Sequence, residues 1–188
     1  MRFYEFEAKQ LFARHAVPVA QGRCVDSAGE AARVAEEIGG PVMVKSQVLS
    51  GGRMKAGAVR AAKTPEEAAS HYDAILPIVV SGQEARTILV EKMSPIAQEY
   101  YAGVTWDGRR KLPVLIFSDM GGIDIEEVAE KHPGHVSKTH ISTILPVTPR
   151  LAKEAVSGVG VSGQALNRLT PIVSALVDIF LAYDLTLA

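Results

Sequence analysis

Lys45, Arg53 and Lys55 place three cations within eleven positions, late in the apolar run 41–48 and across the loop Ser50-Gly51-Gly52-Arg53. Cations so spaced can face one anion, and glycines let backbone N–H groups approach phosphate oxygens. The chemistry this suggests is phosphate binding, though not by a Walker A loop, because Gly-x-x-x-x-Gly-Lys-Ser/Thr is absent. The same residues would serve equally as a solvated turn with scattered basic side chains. Glu91 follows Ile88-Leu89-Val90, and Glu99 lies in Gln98-Glu99-Tyr100. A carboxylate at a strand end can accept hydrogen bonds from a ribose, or can be an ordinary surface charge. His132 and His135 have neither a third ligand nor i, i+4 spacing, so no metal site is expected within the chain. Cys24 has no nucleophile pattern around it, and Trp106 beside Asp107-Gly108 reads as packing.

Elements must hold these residues in place. A first helix is expected over residues 4–15, where Ala8, Leu11 and Phe12 share a face and Glu5 and Lys9 form an i, i+4 pair. Ser27 with Glu30 has capping-box spacing, and Gly39-Gly40 closes a second helix after Ile38. Residues 41–48 read as a strand leading into the glycine loop, and 58–61 as its return. Thr64-Pro65-Glu66-Glu67 opens a helix towards Ile75, and 86–91 reads as the next strand. The region 22–92 thus reads as a βαβ-like unit. Strands over 100–106 and 112–117 flank Asp107-Gly108 as a hairpin. Gly121-Gly122 precedes a helix over 124–131, and Thr148-Pro149 and Thr170-Pro171 are expected to start two late helices. The pattern is α+β in two lobes.

Composition narrows the function classes. Twenty Lys and Arg against 21 Asp and Glu give a net charge of −1, with no basic excess for a nucleic acid. At 47% hydrophobic and 22% charged, the 188 residues are those of a folded domain. A lone cysteine suits a reducing compartment, the acidic start does not resemble a targeting signal, and no run reaches the roughly 18 uninterrupted apolar residues of a membrane span. A cytoplasmic protein with no membrane role is expected.

Several segments, in order, resemble the N-terminal ATP-grasp region of the β subunit of succinyl-CoA synthetase (succinate–CoA ligase, ADP-forming). They are Tyr4-Glu5-Phe6-Glu7-Ala8-Lys9-Gln10-Leu11-Phe12, the run from Val44-Lys45-Ser46 through Gly51-Gly52-Arg53-Met54-Lys55-Ala56-Gly57, Ile88-Leu89-Val90-Glu91, Ile96-Ala97-Gln98-Glu99-Tyr100, and Gly121-Gly122-Ile123-Asp124-Ile125-Glu126. The resemblance implies an ATP-grasp fold whose two α+β lobes hold the nucleotide between them, the larger from 1–21 and 94–188, the smaller from 22–93. It implies Lys45, Gly52, Arg53 and Met54 at the ATP phosphates, Glu91 and Ser94 at adenine and ribose, and Glu99 in the same site. It further implies a reaction in which ATP phosphorylates a histidine of a partner α subunit. The phosphoryl group then passes to a carboxylate, most often succinate, and CoA bound on the partner displaces it as a thioester.

Three departures from the family pattern bear on this. Met54 stands where the second glycine of Gly-Arg-Gly is usual, so a side chain is expected to crowd the phosphates or forbid a left-handed backbone. Met120 stands in place of an acid. The family continues past the position of Ala188 with a Glu-Ile-Asn-Pro-Leu segment and a C-terminal CoA-ligase domain, so the Mg²⁺ ligands and catalytic groups are expected beyond Ala188 and on the partner. The 188-residue chain alone is expected to be inactive as a ligase. A catalytically inactive nucleotide-binding paralogue, a malate–CoA or citrate–CoA ligase, and another ATP-grasp carboxylate–amine or carboxylate–thiol ligase remain as alternatives.

Overall fold

The structure, a computed structural model, describes residues 2–188. The chain divides into two compact units, Met1–Ala13 with Val19–Pro95, and Arg14–Pro18 with Ile96–Ala188.

The first unit contains α1 (Glu5–Arg14, whose last residue passes into the second unit), β1 (Gly22–Val25), α2 (Ala28–Ile38), β2 (Val42–Ser46), β3 (Val59–Ala62), α3 (Pro65–Ile75), the short β4 (Val79–Val80) and β5 (Gln83–Glu84), and β6 (Ile88–Lys92). Local chemistry sets the helix ends. The Ser27 hydroxyl accepts from the Glu30 N–H, and Gly39 at φ 70° closes α2. The Thr64 hydroxyl accepts from the Glu67 N–H, with Pro65 opening α3.

The sheet order is β1-β6-β2-β3, and every neighbouring pair is antiparallel. The expected βαβ-like unit is therefore split: β6 enters between β1 and β2, and β2 lies between β3 and β6. Each helix connects two strands that are parallel but not adjacent. Alternation then sorts the strands by face. Val42, Val44, Ile88 and Val90 join Ala31, Val34, Ala35, Ala68, Tyr72 and Ile75 in one buried cluster. Lys45 and Glu91 point from the opposite face.

The first helix departs from the expected division, which placed residues 1–21 with 94–188. Residues 1–13 group with 19–95. The cause is polar: the Phe6 N–H donates to the Gln47 side chain at 3.2 Å, and Glu5 and Lys9 pair with charged groups of this sheet.

The second unit holds β7 (Tyr101–Asp107), β8 (Leu112–Ser118), α4 (Ile125–Lys131), a 3₁₀ turn (Pro133–His135), β9 (Val136–His140), α5 (Pro149–Ser157) and α6 (Gly163–Ala182). β7, β8 and β9 form an antiparallel sheet in that order. Asp107 pairs with Leu112, so the hairpin loop has four residues. Asp107 accepts from the N–H groups of Arg109 and Arg110, and Lys111 completes the loop at φ 56°. The Val104 N–H and C=O both pair with Ala188.

The expected helix start at Thr170-Pro171 is corrected: both residues lie inside α6. The Thr170 hydroxyl donates to the Leu166 carbonyl at 2.7 Å. Pro171 cannot donate to the Asn167 carbonyl, but Asn167 is exposed, so water can replace that bond. By length and composition α6 could cross a bilayer. In this fold Val173, Leu176, Val177, Ile179 and Phe180 are buried, and the helix packs on α5 and β7.

Candidate functional site

β2 and β6 run antiparallel with Lys45 opposite Leu89 and Met43 opposite Glu91. Lys45 and Glu91 are thus diagonal neighbours on one face, within reach of long side chains, and they form an ion pair. Lys9 of α1 pairs with the same Glu91. Glu5, one turn earlier on α1, is the hub of the cluster. One of its oxygens lies 3.0 Å from Lys45 Nζ and 3.2 Å from Lys9 Nζ, and the other lies 2.7 Å from Arg53. Arg53 also donates to the Ser46 carbonyl at 3.0 Å, which folds the glycine loop back over the end of β2. Three cations and two carboxylates leave this cluster with one net positive charge.

The cluster sets its own protonation. Burial would push the Glu5 carboxyl up, but Lys45, then Arg53 and Lys9, overcome it and hold the group at about 2. Burial works against the Lys45 charge, but the hydrogen bond to Glu91 and the charge of Glu5 outweigh it and raise its pKa.

A cleft of about 280 Å³ adjoins the cluster. Phe6, Ala13, Val19, Cys24 and Leu89 give it apolar walls, and Lys9 and Glu91 stand at its polar side. Gly22, opposite Glu91 in the sheet, has no room for a side chain: a Cβ there would collide with the Val90 carbonyl and the Glu91 side chain. Burial raises the Cys24 thiol pKa, which disfavours a reactive thiolate at neutral pH.

Of the residues expected at the site, Lys45, Arg53 and Glu91 come together. Gly52 bends the loop at φ 83°, and its carbonyl accepts from the Ala56 N–H at 3.0 Å. Of the two expectations for Met54, the one about its backbone is corrected. The left-handed positions of this loop are Gly52 and Gly57, and Met54 is not among the residues with positive φ. Its side chain is 69% exposed, so it imposes no backbone strain here. Ser94 is exposed on the segment after β6. Glu99 belongs to the second unit, where the Gly121 N–H donates to its carbonyl at 3.0 Å. A Cβ on Gly121 would lie 2.7 Å from that backbone, and one on Gly122 would collide with the Glu99 carboxylate. The glycine pair therefore fixes where Glu99 sits.

Sequence reasoning missed Glu5 and Lys9 as members of the charged site and read them only as a helix pair. That pair is present, but both side chains also reach across to β2 and β6, which local spacing does not encode. Elsewhere, His135 bonds Asp119 at 2.8 Å, and no group of three or more metal-type ligands occurs among the described residues. Trp106 donates to the Leu185 carbonyl and has one ring face near Phe180, but is itself exposed.

Comparison with known proteins adds to this geometry. Residues 2–188 match the ATP-grasp domain family. The chain is 38% identical over 184 residues to the β 1 subunit of succinate–CoA ligase [ADP-forming] from Archaeoglobus fulgidus, covering 98% of this chain and 48% of that one. It is 40% identical over 188 residues to the β subunit of succinate–CoA ligase [GDP-forming] from Thermus thermophilus, covering 100% and 50%. The chain thus spans about half the length of the curated relatives it matches. Among solved structures, ACD1 of Ca. Korarchaeum cryptofilum in complex with coenzyme A superposes with a TM-score of 0.76 at 21% identity, covering 99% of this chain and 83% of that one. ATP citrate lyase from Methanothrix soehngenii, in complex with citrate and coenzyme A, gives 0.74 at 17% identity, covering 99% and 45%. At such identities the likeness is one of fold.

Proposed function

This chain belongs to the ATP-grasp domain family, and we propose that it is the ATP-binding part of an acid–CoA ligase β subunit of the succinate–CoA ligase type. The observation that carries this reading is the convergence of Lys45 and Arg53 under a glycine loop, beside an apolar cleft bordered by Glu91. Polyphosphate needs cations and backbone donors, and a purine needs a partly apolar slot with few polar anchors. Lys45, Gly52 and Arg53 would hold the phosphates. The cleft wall with Glu91 would seat the base and ribose, Ser94 lies three residues further along the chain, and Glu99 is the further residue we assign to ATP. Met54, pointing to solvent, would not obstruct the loop.

In the complete protein, phosphoryl transfer would run from ATP to a histidine of a partner α subunit and on to a carboxylate, most simply succinate, with CoA as the acceptor on the partner. Such transfer is mainly positioning and charge neutralisation. The residues of this chain supply phosphate cations but no uncommitted carboxylate in the cluster, because Glu5 and Glu91 are both ion-paired. Mg²⁺, which would neutralise the transferring phosphoryl oxygens, would then take its protein ligands from outside these residues. A cytoplasmic location agrees with ATP and CoA as substrates.

Calorimetric titration with ATP tests the assignment. Lys45→Ala is expected to weaken binding roughly tenfold to a hundredfold, the worth of a charge-assisted hydrogen bond. Lys63→Ala, an exposed lysine at the start of α3, should leave it unchanged. Equal affinities for the two variants would refute the site.

A further inference from the structure

We propose that Glu5 is a built-in competitor for the phosphate-binding cations: its carboxylate bridges Lys45 and Arg53, and the first turn of α1 must release both when a polyphosphate binds. The inference rests on the reading that these two cations receive nucleotide phosphates.

The geometry is that of an anion site already filled from within the chain. The two Glu5 oxygens face different cations, one at 3.0 Å from Lys45 and the other at 2.7 Å from Arg53, as two oxygens of a phosphoryl group would. An ammonium has three donors; two of those of Lys45 are directed at Glu5 and Glu91 and one is left over. A single phosphate oxygen could use that third donor, but a phosphoryl group that bridges Lys45 and Arg53 must displace Glu5, which already bridges them.

Glu5 is the one that can leave. Glu91 sits in the middle strand of the sheet, paired on both sides by β1 and β2, with its side chain 6% exposed. Glu5 is the first residue of α1, outside the sheet and its strand pairing, and its side chain is 19% exposed. Its departure also changes the field. With Glu5 in place the cluster carries one net positive charge, and without it two, so the cations are presented at full strength only to a ligand that supplies the missing anion. Lys9 keeps its second partner, Glu91, and need not move.

A purely structural Glu5 predicts the opposite sign. Its loss would leave three cations repelling one another and would weaken anion binding. The experiment therefore titrates the 188-residue chain with inorganic tripolyphosphate and with ATP, comparing wild type, Glu5→Gln, Lys45→Ala and the exposed α2 variant Glu36→Gln. Glu5→Gln should tighten both ligands about fivefold to tenfold, and Glu36→Gln should stay within about twofold. Amide exchange in the first turn of α1 should rise in wild type when tripolyphosphate is added. Unchanged or weaker binding by Glu5→Gln, with Lys45→Ala still weakening it about tenfold or more, would overturn the competitor while leaving the nucleotide site intact. Wild-type affinity indifferent to Lys45→Ala would overturn the site, and the competitor with it. If Glu5→Gln does not fold, Glu5→Asp withdraws the carboxylate by one methylene and should tighten binding about twofold; no change would count against the proposal.

Discussion

Met54 and Gly22 are opposite cases of a side chain beside a proposed ligand. Met54 looks disruptive in the sequence because glycine is usual there, yet the loop bends at Gly52 and Gly57 and the methionine is turned outward. Met54→Gly should therefore leave ATP affinity within about twofold and merely loosen the loop by up to about 1 kcal/mol. Titration and melting of the same variant check both parts, and a large gain in affinity would show that the side chain does crowd the site. Gly22 looks unremarkable in sequence, yet β1 approaches β6 so closely that a methyl group would strike Glu91. Gly22→Ala should cost about 1–3 kcal/mol of stability as an overpacked contact. It should also weaken ATP binding, because Glu91 positions Lys45. Melting temperature and affinity unchanged together would show that the strands can part freely.

At the level of elements, α6 tolerates Pro171 because the proline removes a bond to an exposed carbonyl while the rest of the helix is held by its buried face. Pro171→Ala should restore that bond and raise stability by roughly 1–3 kcal/mol, measured by denaturant unfolding. A loss of stability would mean that the proline ring packs against something essential. Gly122→Ala should push the Glu99 carboxylate aside and strain a backbone at φ 72°. On the proposed reading it lowers ATP affinity through Glu99. Caps, helix lengths and the Asp107 hairpin were legible in the sequence because each depends on neighbours within a few positions: Ser27 with Glu30, Thr64 with Glu67, Pro149 after Thr148. Thr170-Pro171 misled because the same two residues suit a helix start and an exposed helix interior, and only the buried face beyond them decides. Strand order was not legible either, since nothing local says that β6 enters between β1 and β2. The charged hub divides in the same way: Lys45, Arg53 and Glu91 stood out by type and setting, whereas Glu5 reaches Lys45 and Arg53 across about forty and forty-eight positions.

For the whole molecule, acid is the informative perturbant. Glu5 titrates at about 2 in the fold against an ordinary 4.5, and Asp107, held down by its hydrogen bonds to His140 and to the Arg109 and Arg110 N–H groups, titrates at about 2 against 3.8. Both folded values are depressed, so the stabilisation they give is complete above the unfolded values and disappears as pH falls from about 4.5 towards 2. Melting temperature should be flat near neutrality and drop across that window. Asp107→Asn should flatten part of the drop without touching ATP affinity, and an equally steep drop in that variant would remove Asp107 from the account. The central position of β6 has a further consequence, for the newborn chain. β1 is made first and has a single neighbour in the sheet, β6, which is made last, with Gly22 waiting for Glu91. While the ribosome is still short of residue 92, the first unit has a β2–β3 hairpin and three helices but no seat for its leading strand, and Lys9 and Lys45 have Glu5 to share but not yet Glu91. Each copy must therefore keep β1 unpaired through most of the synthesis of this unit, and a chaperone that shields residues 22–25 would have the longest work to do.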